Sequence, residues 1–219
     1  MSETAAVVLD PIEARVLGCL VEKAATTPEV YPLTLNAVVS ACNQKSNRDP
    51  VLELEPGAVG HALRQLEGKR LVAGSMSARA SRYEHRLDQA LNITPRQRAL
   101  LALLLLRGAQ TAPELLTRSD RLAEFSSLDD VRATLDRLSQ REPALTVRIP
   151  RSGGQREDRY MHLLCGEVDL TALARATPSD PVDSSTQALE TRIEQLENLV
   201  DALQARLQQV ERRFEDDEH

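Results

Sequence analysis

Aromatic residues are nearly missing from this chain of 219 residues, which has two Phe, three Tyr and no Trp. A core without them must be filled by Leu, Val and Ala, which suits helices more than a β-sandwich. Cysteine is scarce as well. Cys19, Cys42 and Cys165 are odd in number and far apart, and no pair has CxxC or Cys/His metal spacing. That argues against a disulfide framework or a zinc finger and leaves all three as small apolar core residues of a reduced, cytoplasmic protein. The longest apolar run, Ala99 to Leu106, is too short to span a bilayer. The start, MSETAAVVLDP, lacks a basic segment followed by an apolar one, so no signal peptide is expected. No G-x-x-x-x-G-K-[ST], H-E-x-x-H or G-x-S-x-G occurs. Nothing assembles a nucleophile with its base, so the expectation is a protein that is not an enzyme and holds no cofactor or metal.

What is present is charge, unevenly spread. Residues 1–92 carry ten Lys/Arg and eleven Asp/Glu, residues 93–166 twelve and nine, and residues 167–219 five and thirteen. The net charge of −6 therefore belongs to the tail, and the part before it is slightly basic. That balance permits nucleic-acid binding without demanding it.

An internal repeat organises the chain. Asp10-Pro11-Ile12-Glu13 and Thr94-Pro95-Arg96-Gln97 each place a cap, a Pro at the first helical position and an acid or amide at the third. Leu17, Leu20 and Val21 then match Leu101, Leu104 and Leu105. Val59, Leu63 and Leu66 match Val131, Leu135 and Leu138, and Arg82-Tyr83-x-His85 recurs as Arg159-Tyr160-x-His162. The pattern predicts helices over 11–25, 34–43 and 56–69, strands over 71–76 and 82–86 around a turn at 77–81, and a small third strand at 51–54. The second copy predicts helices over 95–107, 112–119 and 128–141, with strands 145–149 and 159–164 about Gly153-Gly154.

Three helices followed by a β-hairpin make a winged helix. The expected fold is mainly α with small β-hairpins: tandem winged-helix domains plus a C-terminal coiled-coil helix. Its expected parts are a disordered 1–8, domains at 9–90 and 91–166, a linker at 167–185 and the helix at 186–215.

In that helix the apolar positions step by four and three through Leu189, Ile193, Leu196, Val200, Leu203, Leu207, Val210 and Phe214. β-branched residues at a with Leu at d in the central heptads favour two parallel strands. A parallel pair brings Arg192 to Glu197 and Arg206 to Glu211, whereas an antiparallel pair sets Arg against Arg. A homodimer through a parallel coiled coil is expected. A helix folded back on its own domains is the alternative.

The D/T-P helix starts, the Arg-Tyr-x-His strands and the terminal heptads together resemble the YceH-like family of uncharacterised bacterial proteins. The most specific stretches run Leu9 to Lys23, Tyr31 to Asn36, Cys42 to Pro50 and Arg156 to Leu163. The resemblance implies a tandem winged-helix fold over about residues 9–166 and implies no activity.

Function rests on the residues themselves. Asn43, Gln44, Lys45 and Arg48 fill a polar loop suited to phosphate and base contacts, although a loop satisfying its own backbone explains them as well. The helix over 56–69 is the candidate reading helix, with His61, Arg64, Gln65 and Lys69 outward; the plainer reading is a solvated face. Arg79 and Arg82 lie on the first wing, and Arg151 and Arg156 on the second, beside Arg148 and Arg159. The second copy's corresponding helix carries Asp129, Asp130 and Asp136, a poor match for phosphate. Gly153-Gly154-Gln155 matches the tripeptide of release factors, but a glycine pair at a hairpin tip explains it better. His85 and His162 share a strand face with a Tyr and are expected to be packed. The leading expectation is a dimeric, transcription-regulator-like protein that binds double-stranded DNA. The alternative is a tandem winged-helix scaffold for a protein partner, as in the ScpB-like subunits of chromosome-organising complexes, and fold alone does not decide between them.

Overall fold

Capping side chains set the helix starts. In the computed structural model, which describes residues 8–76, 81–151 and 155–168, the Asp10 carboxylate accepts from the Ile12 and Glu13 amides. Glu13 accepts in return from the Asp10 amide at 2.7 Å, opening α1 (Pro11–Thr26). Thr94 and Gln97 form the same reciprocal pair at α5 (Pro95–Arg107). A third such box, Thr111 with Glu114, opens α6 (Ala112–Ser119). Thr34 caps α2 (Leu35–Cys42) and Ser127 caps α7 (Leu128–Ser139). Helix α3 (Pro56–Gly68) starts on a Pro with no side-chain cap, and α4 (Leu87–Leu91) is a short connector absent from the sequence pattern.

Two three-stranded antiparallel sheets complete the described fold, which is mixed α/β with seven helices. The first sheet orders β1 (Leu33–Thr34), β3 (Ser81–His85) and β2 (Val72–Met76) with β3 in the middle. The second orders β4 (Gln110–Thr111), β6 (Arg159–His162) and β5 (Thr146–Ile149) the same way. Tyr83 pairs Leu33 on one side and Gly74 on the other; Tyr160 pairs Gln110 and Arg148. The two Arg-Tyr-x-His runs thus occupy equivalent middle strands, an arrangement compatible with winged helices.

The third strand is not where the sequence placed it. Residues 51–54 form no strand, because the Asn43 amide takes both backbone groups of Leu54, accepting from its N–H at 2.8 Å and donating to its C=O at 3.0 Å. The strand that pairs with β3 is the two-residue β1 just before α2, too short to show a period. Cys19 and Cys42 are buried as expected, but Cys165 is exposed, lying past the last strand where the chain leaves the core.

All described residues belong to one compact unit. Every residue from Glu13 to Val21 of α1 is buried, and so is Ala99 to Leu106 of α5. These two all-round buried helices pack on each other. A Cβ added at Gly18 would stand 3.0 Å from the Leu106 Cγ and 3.2 Å from the Leu105 Cβ, so glycine sets how closely they approach. The larger core draws on both halves: Leu101, Leu105, Leu106, Leu138, Leu145 and Leu164 join the buried residues of the first copy. The Leu9 amide donates to the Leu164 carbonyl at 2.7 Å, tying the beginning of one copy to the end of the other. The boundary at residue 90 therefore divides the chain by its repeat, whereas the core runs across it. The turn at 77–80, the pair Gly153-Gly154, most of the expected linker and the whole heptad helix lie outside the described residues.

Candidate nucleic-acid interface

Helix α3 buries Val59, Ala62, Leu63 and Leu66 and turns His61, Arg64 and Gln65 outward, all three exposed. None of these three side chains makes a hydrogen bond or ion pair to another described residue. Lys69, expected on the same face, is bent away from it. Its ammonium donates to Glu13 at 2.5 Å and to the Val8 carbonyl at 2.8 Å, because Glu13 is buried in the capping box and draws a cation to itself.

The loop after α2 departs further from expectation. Arg48 is not at the surface: its side chain is fully buried. Nε donates to the Ala41 carbonyl at 3.0 Å. Nη1 donates to the Asn47 carbonyl at 2.8 Å and to Glu22 at 3.0 Å, and Nη2 to Glu22 at 2.6 Å and to Gln44 at 3.0 Å. All five N–H groups are thus occupied inside the protein. Burial pulls its pKa down most strongly, but the bond to Glu22 together with the charge of Glu22 and the neighbouring Cys19 and Cys42 holds it above the ordinary value. Arg15 works beside it, donating to the Cys42 carbonyl at 3.3 Å and to the Pro50 carbonyl at 2.7 Å. It has no ion pair among the described residues, and burial lowers its pKa. The two guanidiniums supply donors to the last carbonyls of α2, Ala41 and Cys42, and to the Asn47 and Pro50 carbonyls of the irregular loop after it. Asn43 and Gln44 are likewise engaged internally, Asn43 with Leu54 and Gln44 with Arg48 and Lys23. Lys45 alone of the four loop candidates is exposed and unengaged among the described residues.

On the first wing Arg82 is exposed, with one nitrogen on the Pro32 carbonyl at 2.7 Å, and Arg79 lies outside the described residues. On the second wing the basic cluster is largely paired. Arg148 forms a close ion pair with Asp158, whose Oδ1 accepts from the Arg151 amide at 2.9 Å. The Arg151 amide and then the Arg148 guanidinium hold the Asp158 carboxyl below its ordinary pKa. Arg159 donates to the Ala109 carbonyl at 3.1 Å, and Arg151 to the Arg156 carbonyl at 3.3 Å. A cleft of about 490 Å³ between this wing and α7 is lined by Arg132, Arg148, Arg151 and Arg156, but also by Asp136, Glu157 and Asp158. Arg132 on α7 pairs with Asp129 and reaches Glu157 at 3.9 Å. The exposed strip of α7 thus mixes both signs.

Of the candidates, His61, Arg64 and Gln65 share the exposed face of α3, while Lys45 on the loop after α2 and Arg82 on β3 are exposed on separate elements. Sequence reasoning missed that Arg15, Glu22 and Glu13 would hold the loop and Lys69 internally. The signal lay in their position: each sits on α1, whose apolar residues surround it on every side.

His162 is buried and its Nδ1 has no partner, so burial depresses its pKa to about 4; Tyr160 of the same strand is buried too. His85 is partly buried against Tyr31, whose hydroxyl accepts from the His85 amide at 2.6 Å and whose pKa burial pushes up to about 12. No helix among the described residues is long and apolar enough to cross a membrane.

Comparison with known proteins agrees with the resemblance in the sequence. A UPF0502 protein of Xanthomonas axonopodis pv. citri is 58% identical over 86% of each chain. One from Stenotrophomonas maltophilia is 57% identical over 86% of this chain and 87% of its own. One from Mesorhizobium japonicum is 54% identical over 86% and 93%. With residues 9–155 matching the model of the family described as protein of unknown function, DUF480, the chain belongs to that family.

Proposed function

We propose that the chain is a non-catalytic, cytoplasmic, double-stranded-DNA-binding protein of tandem winged-helix type, resembling transcription regulators. In this reading α3 enters the major groove. One observation carries it: His61, Arg64 and Gln65 stand exposed, and unengaged among the described residues, on one face of a helix whose opposite face is buried. Arg and Gln are the side chains that contact guanine and adenine edges in pairs of hydrogen bonds. Lys45 on the loop after α2 and Arg82 on the first wing supply phosphate contacts, and Arg151 and Arg156 do so from the second wing. Arg48 and Lys69 have no part in this set. The heptads from Leu189 to Val210 join two chains in a parallel coiled coil, presenting two reading helices.

The test is fluorescence anisotropy of purified chain against a pool of genomic duplexes at several salt concentrations. Binding that falls steeply with salt is expected, as counterions return to the DNA. R64A with Q65A is expected to weaken it by about 1–3 kcal/mol for the lost base contact. Absence of any binding at low salt and micromolar protein refutes the reading.

A protein-interaction scaffold is the second reading. The paired charges on α7 and the second wing favour it, since cations already bound to carboxylates attract phosphate weakly. A partner retained at high salt in nuclease-treated extract, with no duplex bound, would select it.

A further inference from the structure

A second cleft, of about 550 Å³, lies away from α3, between the ends of α1 and α5, the loop at 44–47 and the end of α6. Four cations line it: Lys23, Arg107, Arg118 and Arg121. Two carboxylates accompany them, and neither offsets that charge well. Glu22 has both oxygens hydrogen-bonded by buried Arg48 and lies 3.6 Å from Lys23, so its one charge is shared between two cations, and Asp120 is exposed at the rim without an ion pair among the described residues.

Arg107 is the informative member. It is half-buried, yet its guanidinium donates only to the neutral Asn47 amide oxygen, at 3.2 Å, and it has no ion pair among the described residues. Burial and then the neighbouring Arg118 charge lower its pKa, against the weaker opposing pull of Asp49 and Glu114. A half-buried cation that touches only a neutral acceptor, with like charges beside it and carboxylates beyond ion-pair distance, leaves a local positive field that a bound anion would relieve. Arg118 is partly engaged, with Gln110 at 2.6 Å and Glu114 at 3.2 Å. Arg121 is exposed and unengaged among the described residues. Leu103, Leu106 and Leu122 give the cleft an apolar side, which lowers the local dielectric and strengthens the field.

We propose that this cleft binds a small phosphate-bearing anion, with Arg107 as the inner contact and Arg118, Arg121 and Lys23 around it. Planar guanidiniums match phosphate oxygens with two parallel bonds each, and several converge here. Because the cleft joins the loop of the first copy to α6 of the second, occupancy fastens two halves of one core. The site is independent of the DNA reading, since α3 takes no part in it.

The experiment is isothermal titration calorimetry of the full chain with inorganic pyrophosphate, orthophosphate as the second ligand and sodium chloride of matched ionic strength as the blank. Saturable binding of pyrophosphate is expected, weakened about tenfold in R107Q, the scale of one lost charge-assisted hydrogen bond. R121Q, at an exposed side chain without partners among the described residues, keeps the fold and is expected to weaken binding as well. Three results would overturn the proposal: no saturable heat at millimolar pyrophosphate, equal affinity in both variants, or a response to duplex DNA alone that R107Q and R121Q reduce.

Discussion

Replacing Arg48 by Ala is the sharpest test of whether the polar loop is a surface contact or an internal staple. The substitution removes five hydrogen bonds at once, two of them to Glu22. It leaves that carboxylate, only 14% exposed, with Lys23 at 3.6 Å as its remaining ion pair. Breaking one side of a buried pair costs about 3–5 kcal/mol. Residual solvent access at Glu22 puts the expected loss near 3 kcal/mol. For a chain of this size each kcal/mol is worth roughly 2–4 °C, so the melting temperature should fall by about 6–12 °C. The urea midpoint should fall by about 1 M or more. Urea denaturation followed by circular dichroism measures it. Replacing both partners by apolar residues, E22L with R48M, should recover most of the loss, because the pair's desolvation penalty goes with it. An unfolding free energy within about 0.5 kcal/mol of wild type for R48A, with weakened duplex binding, would refute the internal role and return Arg48 to the surface set.

Three further outcomes follow from the same geometry. His162 is neutral in the folded chain down to about pH 4, whereas the unfolded side chain protonates near its ordinary 6.5. The stability it contributes is therefore complete above about pH 6.5 and is lost as pH falls toward 4, at up to about 1.4 kcal/mol per pH unit. H162L should flatten that slope in urea titrations between those limits, and an unchanged slope would clear His162 of the effect. G18V should cost about 1–3 kcal/mol by forcing α1 off Leu105 and Leu106; a melting temperature equal to wild type would mean that the helices give way freely. N43A strips Leu54 of both its backbone partners and should cost about 1–3 kcal/mol with more proteolytic nicking near residues 51–54. Cleavage no faster than wild type would contradict it.

Much of this protein is determined locally and is therefore readable from the sequence. The Asp10–Glu13 and Thr94–Gln97 capping boxes need only four consecutive residues, and both form as the spacing requires. Val59, Leu63 and Leu66, like Val131, Leu135 and Leu138, are buried because their spacing leaves them one helical face. Tyr83 and Tyr160 fall in equivalent middle strands because the same alternation repeats. The cations could not be assigned this way. Arg48, Lys69 and Arg148 look like free surface charges in a linear chain, and only folding brings Glu22, Glu13 and Asp158 to them from 26, 56 and 10 residues away. Whether an arginine faces solvent or a carboxylate is a property of contacts distant in sequence, and local periodicity carries no record of them. The two-residue strand Leu33–Thr34 and the core shared by α1 and α5 escaped for the same reason. Propensity and period fix the elements; the pairing of buried charges and the meeting of all-apolar helices are decided only when those elements close on one another.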